Sequence, residues 1–246
     1  MARKRKRKQA SHSAAASAAV FIAAEGDKTE SGADHDPIRA AFMTLLAEKP
    51  IESIGFAEIA ARAGVSLAEL RDRYGSTLAI LAAQIKATDR QVLSGRDPDM
   101  AEEPPRERLF DVLMRRIEAL EPHKEAVRSL MRSSRRNPGL ACALNTLAVR
   151  SQVWMLAAAD ISAAGPRGLI RAQGLAVLFA SVLRTFVEDD DPGHARTMAA
   201  LDRALARGQR WSGFLDDACR MGERICGLRG GRRRRRRDAD DETIAA

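Results

Sequence analysis

Apolar positions recur at helical spacing from about residue 36 onward. Ile38, Ala41, Phe42, Leu45 and Leu46 fall at i, i+3, i+4, i+7 and i+8. This stripe predicts an amphipathic helix that starts near Asp36, carries Pro37 in its first turn and ends at Pro50. Phe56, Ile59, Ala60 and Ala63 predict one apolar face of a second, short helix, with Gly55 as N-cap and Glu58 in the capping-box position. Gly64 follows at once, and Val65 can plug the gap to the next helix. Ser66 then caps a third helix, with Glu69 three residues on as the other half of a capping box. Leu70 and Tyr74 are predicted to face inward, and Leu67, Ala68, Arg71 and Arg73 outward. Gly75 breaks the chain, and Ser76 caps a long helix running to about Leu93.

Residues 94–105 carry Asp97-Pro98-Asp99 and Pro104-Pro105, a polar linker that predicts a domain boundary. Beyond it, Leu109, Leu113, Ile117 and Leu120 read as core positions of a helix whose Arg115 and Arg116 lie outside. Pro122 opens a further helix ending before Asn137-Pro138. A long apolar-rich segment runs from Gly139 to Ile161 and stops at Gly165-Pro166. Residues 168–187 are apolar nearly all round, so this helix is expected to be buried on more than one side, by the core or by a second subunit. Asp191-Pro192 suits an N-cap and first position, and Met198, Leu201 and Leu205 give the following stripe. Trp211, Phe214, Leu215, Ala218 and Ile225 predict a last amphipathic helix. No alternating strand pattern and no internal repeat is visible, so the expected class is all-α. Four segments follow: a disordered basic arm at 1–35, a head at 36–93, a helical body at 105–228 and an Arg-rich tail at 229–246.

Two short helices joined through a glycine turn, the second with an exposed outer face, form the pattern of a DNA-binding helix-turn-helix. The run Ile59-Ala60-x-Arg62-Ala63-Gly64-Val65-Ser66, then Leu70, Tyr74 and Ser76, resembles the N-terminal domain of TetR-family transcriptional regulators over about residues 36–82. The resemblance implies a TetR-like fold, double-stranded DNA as partner, and a homodimeric regulator, expected to be a repressor. It also implies a small apolar or amphipathic effector. Where the family usually shows Thr-Leu-Tyr-x-Tyr-Phe-x-Ser-Lys, this chain has Glu69-Leu70-Arg71-Asp72-Arg73-Tyr74-Gly75-Ser76-Thr77. Arg71 and Arg73 thus stand in place of two phosphate-touching tyrosines, and Thr77 in place of a lysine. Arginine can replace a phosphate contact and is the commonest reader of guanine, whereas Asp72 repels phosphate. The DNA-binding set expected from this alignment is Ser66, Leu67, Ala68, Arg71, Arg73, Tyr74 and Thr77. In the body, Arg171 to Arg184 and Ala195 to Arg203 resemble the C-terminal domain of some TetR-type regulators. They are also similar to the lipid-binding accessory protein of ubiquinone biosynthesis, which shares the fold without acting as a repressor. A non-DNA-binding lipid or isoprenoid carrier is therefore the alternative.

The formal charge of +8 over 246 residues is unevenly placed. Arg3, Lys4, Arg5, Lys6, Arg7 and Lys8 contribute +6, and residues 229–246 contribute +3 from seven arginines and four acids, which leaves −1 for residues 9–228. Such tails attract polyanions without reading sequence, so Arg3 to Lys8 are the expected non-specific DNA contacts; a solvated end or an anionic lipid contact are the alternatives. Residues 14–24 follow the basic run in signal-peptide outline, but only Val20, Phe21 and Ile22 are strongly apolar, which favours an arm. No uncharged apolar run approaches 18 residues, so no transmembrane segment is expected, and Cys142, Cys219 and Cys226 read as reduced thiols of a cytoplasmic protein.

Candidate chemistry is sparse. His12, His35, His123 and His194 share no ligand spacing with cysteine or acidic residues, so no metal is expected. Glu188 to Asp191 read as an exposed loop between helices, and Trp154 and Met155 as core residues rather than pocket. No phosphate loop, nucleophile elbow or paired catalytic carboxylates occur, so neither enzyme activity nor a cofactor is expected.

Overall fold

The computed structural model describes residues 36–95 and 97–208. The helices, in chain order, are α1 (Pro37–Glu48), α2 (Phe56–Ala63), α3 (Leu67–Arg73), α4 (Thr77–Ser94), α5 (Pro105–Leu120), α6 (Lys124–Arg136), α7 (Pro138–Ala158), α8 (Gly165–Phe186) and α9 (195–208). Short 3-10 turns at Ile51–Ser53, Pro98–Glu102 and Glu121–His123 join some of them, and no strand occurs among the described residues. The all-α expectation is met. The expected last helix around Trp211 to Ile225, the Arg3 to Lys8 run and the arginine tail lie outside the described residues.

Two apolar cores hold the helices. The first gathers Ile38, Phe42, Leu45 and Leu46 of α1 with Ile59, Leu70 and Ile80 of α2, α3 and α4. Ala126 of α6 and Leu140 of α7 belong to the same core. The second is built from Leu113 and Ile117 of α5, Met155 of α7, Phe179 and Phe186 of α8 and Leu201 of α9, with Val92 from the far end of α4. At roughly 1.5–3 kcal/mol per fully buried side chain, these cores outweigh the exposed ion pairs, worth about 0–1 kcal/mol each. Helix α4 joins both cores, and α6 packs along α1, where the Ser129 hydroxyl donates to the Lys49 carbonyl at 3.1 Å.

Several local expectations change in three dimensions. Arg116 is not outside. It is 6 % exposed, paired with Asp89 of α4, and its guanidinium lies 5.6 Å from the Phe179 ring centre. The Ser151 hydroxyl donates to the same Asp89 oxygen at 2.7 Å. Arg115 is also partly buried, donating to the Val92 carbonyl at 3.0 Å and pairing with Asp111. Glu58 does not close a capping box on Gly55, because its carboxylate pairs with Lys49 instead. Phe56 is 44 % exposed rather than buried, as the first residue of α2 lies beyond the reach of the core. Trp154 is 58 % exposed, whereas its neighbour Met155 is fully buried.

The acidic loop after α8 is a structural element rather than an exposed connection. Asp189 is fully buried and accepts bonds from the Thr197 amide at 2.8 Å and the Thr197 hydroxyl at 2.7 Å, capping the start of α9. Asp191 and Pro192 do not open that helix; the Asp191 carbonyl and carboxylate tie a turn to the amides of Gly193, His194 and Ala195. His194 takes a positive φ of 52° there and packs edge-on against Phe186 at 5.7 Å.

Helix α8, at 22 residues and with a mean hydropathy of 1.4 over an 18-residue stretch, is long and apolar enough to cross a membrane by those measures alone. A core helix of a soluble protein passes the same two measures, so they do not make α8 a spanning segment. One face, with Phe179, Val182 and Phe186, packs into the second core. The expectation of burial on several sides is met on that face only, since Leu169, Ile170 and Val177 stay 54–61 % exposed.

Candidate nucleic-acid interface

Helices α2 and α3 form a short helix-turn-helix whose geometry follows from five residues. Gly64 ends α2 in the left-handed region, at φ 68° and ψ 29°. A Cβ there would meet no atom within 4 Å, so the glycine is needed for its backbone angle and not for space. The Val65 amide then bonds back to the Ala60 carbonyl at 3.0 Å, and the Val65 side chain packs on the first core. Ser66 opens α3 with a complete capping box: its Oγ accepts from the Glu69 amide at 3.1 Å, and its own amide donates to the Glu69 carboxylate at 2.7 Å. The bonds from Ser66 hold the Glu69 carboxyl below its ordinary range. Leu70, 2 % exposed, anchors the inner face of α3 in the core.

With Leu70 inward, the outer face is settled. Ser66, Leu67, Ala68, Arg71 and Arg73 are all exposed, and Leu67 is 55 % exposed, an unusual place for leucine in a seven-residue helix. Tyr74 is half-buried against the first core, and the Arg73 guanidinium sits 5.8 Å from its ring centre. Arg71 donates to the Gly75 carbonyl at 3.4 Å, a weak contact. Thr77, half-buried, is the first residue of α4, behind the Ser76 cap. All seven residues of the expected set therefore lie on or beside one short helix, but only five reach the surface fully.

The surroundings are not generally basic. Between residues 36 and 80 there are five basic and six acidic residues. Arg62 is held by both oxygens of Glu48, at 2.9 and 3.1 Å, which clamps α2 to α1 and lowers the Glu48 pKa. Lys49 is held by Glu58. Arg71 and Arg73 are thus the cations of the outer helix face, flanked by Glu69 and Asp72. The Arg62 clamp was visible in the sequence only as part of the motif, since its partner lies 14 residues away. Among the described residues no group of three or more His, Cys, Asp or Glu side chains gathers as a metal site.

A helix-turn-helix that shares one apolar core with α1, α4, α6 and α7, beside a second core of α5, α7, α8 and α9, defines a class of all-helical proteins. Within that class, the chain has the fold of TetR transcriptional regulators. Its structure is similar to that of a TetR transcriptional regulator from Nitrosomonas europaea ATCC 19718, with a TM-score of 0.56, 19% identity, and coverage of 71% of this chain and 96% of that one. It is likewise similar to a TetR transcriptional regulator from Rhodococcus sp. RHA1, with a TM-score of 0.50, 19% identity, and coverage of 73% and 97%. No protein-family model and no curated protein matches the chain.

Proposed function

We propose that this protein is a sequence-specific, DNA-binding transcriptional regulator that reads duplex DNA through α3. The observation that carries the reading is the helix itself: capped by Ser66 and Glu69, anchored by Leu70, and presenting Leu67, Ala68, Arg71 and Arg73 to solvent. A seven-residue helix held this way fits the major groove, which admits one α-helix. Arg71 and Arg73 supply guanine or phosphate contacts, Leu67 and Ala68 supply apolar contact to base edges, and Ser66, Tyr74 and Thr77 flank the backbone. Arg3 to Lys8 add sequence-independent attraction.

The protein acts as a homodimer in the cytoplasm, as a repressor, on a pseudo-palindromic site. The apolar residues Leu169, Ile170 and Val177 on the outer face of α8, with Met198 of α9 at 42 % exposure, support this assembly. A small apolar or amphipathic effector bound in the body alters the spacing of the two heads.

The test is selection of bound duplexes from a random pool by the full chain. Recovery of a two-fold related consensus is expected. Recovery of unenriched sequence, together with binding of the protein to isoprenoid-containing vesicles, would transfer the assignment to a lipid carrier.

A further inference from the structure

Helix α6 carries Lys124, Arg128, Arg132, Arg135 and Arg136 within 13 residues. Elsewhere in the fold arginines meet carboxylates, as in Arg62 with Glu48, Arg106 with Asp202 and Arg116 with Asp89. Arg128 also has partners: Glu125 on its own helix, and the Val187 carbonyl just after α8. Arg132 and Arg135 differ. Together with Arg184 of α8 they are exposed and make no ion pair or hydrogen bond among the described residues. These three and Arg128 wall a half-open cavity of about 200 Å³, in which Glu188 is the one lining carboxylate.

With Arg128 offset by Glu125 and one further charge by Glu188, the four guanidiniums leave a net positive charge of two around one small space, which attracts an anion. The end of α8 contributes only about half a negative charge, and Arg128 already donates to the carbonyl of its C-cap residue, Val187. Arg132, Arg135 and Arg184 therefore exceed what the helix end requires. Met131 and Val187 complete the wall with apolar surface. At roughly 30 Å³ per water, the space admits a phosphate group with a small organic stub, below the roughly 300 Å³ where drug-sized pockets begin. Guanidinium forks match phosphate oxygens two at a time. The arginines come from two helices and surround a concavity, which suits a discrete anion better than the extended backbone of a duplex.

We infer that the cavity between α6 and the end of α8 binds a small phosphate-bearing anion at a site separate from the helix-turn-helix surface. Binding there requires no DNA, so it stands or falls independently of what α3 reads.

The experiment uses the full chain and phenylglyoxal, an arginine-specific reagent, with modification at each arginine followed by peptide mass. Pyrophosphate is the probe, and sulfate at matched ionic strength is the control. Pyrophosphate is expected to slow modification several-fold at Arg132, Arg135 and Arg184 and to leave the exposed Arg150 of α7 unchanged. Arg135→Ala with Arg184→Ala should abolish the protection of Arg132, each substitution weakening pyrophosphate binding about tenfold. Arg150→Ala should leave protection intact. Equal protection at Arg150, equal protection by sulfate, or no protection at all would overturn the inference. Protection by random duplex DNA but not by pyrophosphate would overturn it too, in favour of a nucleic-acid surface.

Discussion

Asp89 and Arg116 place opposite charges beside the second core, each below 10 % exposed. Such a pair is weak support for stability on its own, but removing one partner strands the other. Asp89→Asn should cost about 3–5 kcal/mol in urea unfolding, because the Arg116 charge is left without its counter-ion among apolar neighbours. Replacing both, as Asp89→Leu with Arg116→Met, should recover most of that loss. If the single variant unfolds like the parent, the pair is not buried in solution. At the outer face of α3 the expectation concerns binding, not folding. Arg71→Ala or Arg73→Ala should each weaken the selected operator by roughly 1–3 kcal/mol, with thermal stability unchanged, as both side chains are exposed. Full operator affinity in the double variant would remove both arginines from the interface.

Among the elements, α9 depends on a cap contributed from outside it. Burial pushes the Asp189 carboxyl upward, but the Thr197 hydroxyl and amide, the Asp191 amide and nearby Arg196 outweigh this and hold it below its ordinary value of 3.8. A carboxyl whose pKa is lower in the folded than in the unfolded chain stabilises fully above the unfolded value and loses that contribution as pH falls through the folded one. Asp189→Ala should therefore cost about 1 kcal/mol at neutral pH, the usual worth of an N-cap. The gap between variant and parent should narrow as pH drops below about 3.8. Denaturation at pH 7 and pH 3 measures both; a gap of equal size at the two values would refute the cap's ionic part. Helix α3 is held by Leu70 in the first core, with Val65 and Tyr74 packed against it at either end. Its capping box is local, formed by Ser66 and Glu69 alone.

At the scale of the molecule, charge and apolar surface are separated. Residues 36–80 are close to neutral, while Arg3 to Lys8 and the arginine tail carry most of the positive charge. Deleting residues 1–30 and 229–246 should weaken binding to random and operator duplexes alike, and flatten the slope of log affinity against log salt, with sequence preference kept. A truncated chain with the full salt slope would place the non-specific attraction on the folded body, where α6 is the basic candidate. The exposed apolar face of α8 belongs to the same scale. A homodimer is expected at micromolar concentration in sedimentation, and Val177→Glu should shift it toward monomer. Only monomer from the parent chain would count against dimerisation through this face.

Much was legible in the sequence because the decisive signals are local. Helical spacing, the glycine after α2, the Ser66–Glu69 box and the Ser76 cap depend on residues within a few positions of one another, and each appears in the structure where the pattern put it. The inward Leu70 and the outward Arg71 and Arg73 follow from the same short period. What only the tertiary structure decided depends on distant partners. Arg116 read as a surface residue because its own helix offers no acid for it; Asp89 stands 27 residues away. Asp189 read as loop charge until Thr197 turned toward it. The pairing of Glu58 with Lys49, nine residues away, displaced an expected cap. The meeting of Arg184 with the arginines of α6 spans about fifty residues of chain and leaves no trace in any local window. Periodicity and capping act through the backbone of one element, whereas the placement of charge depends on which helices pack together.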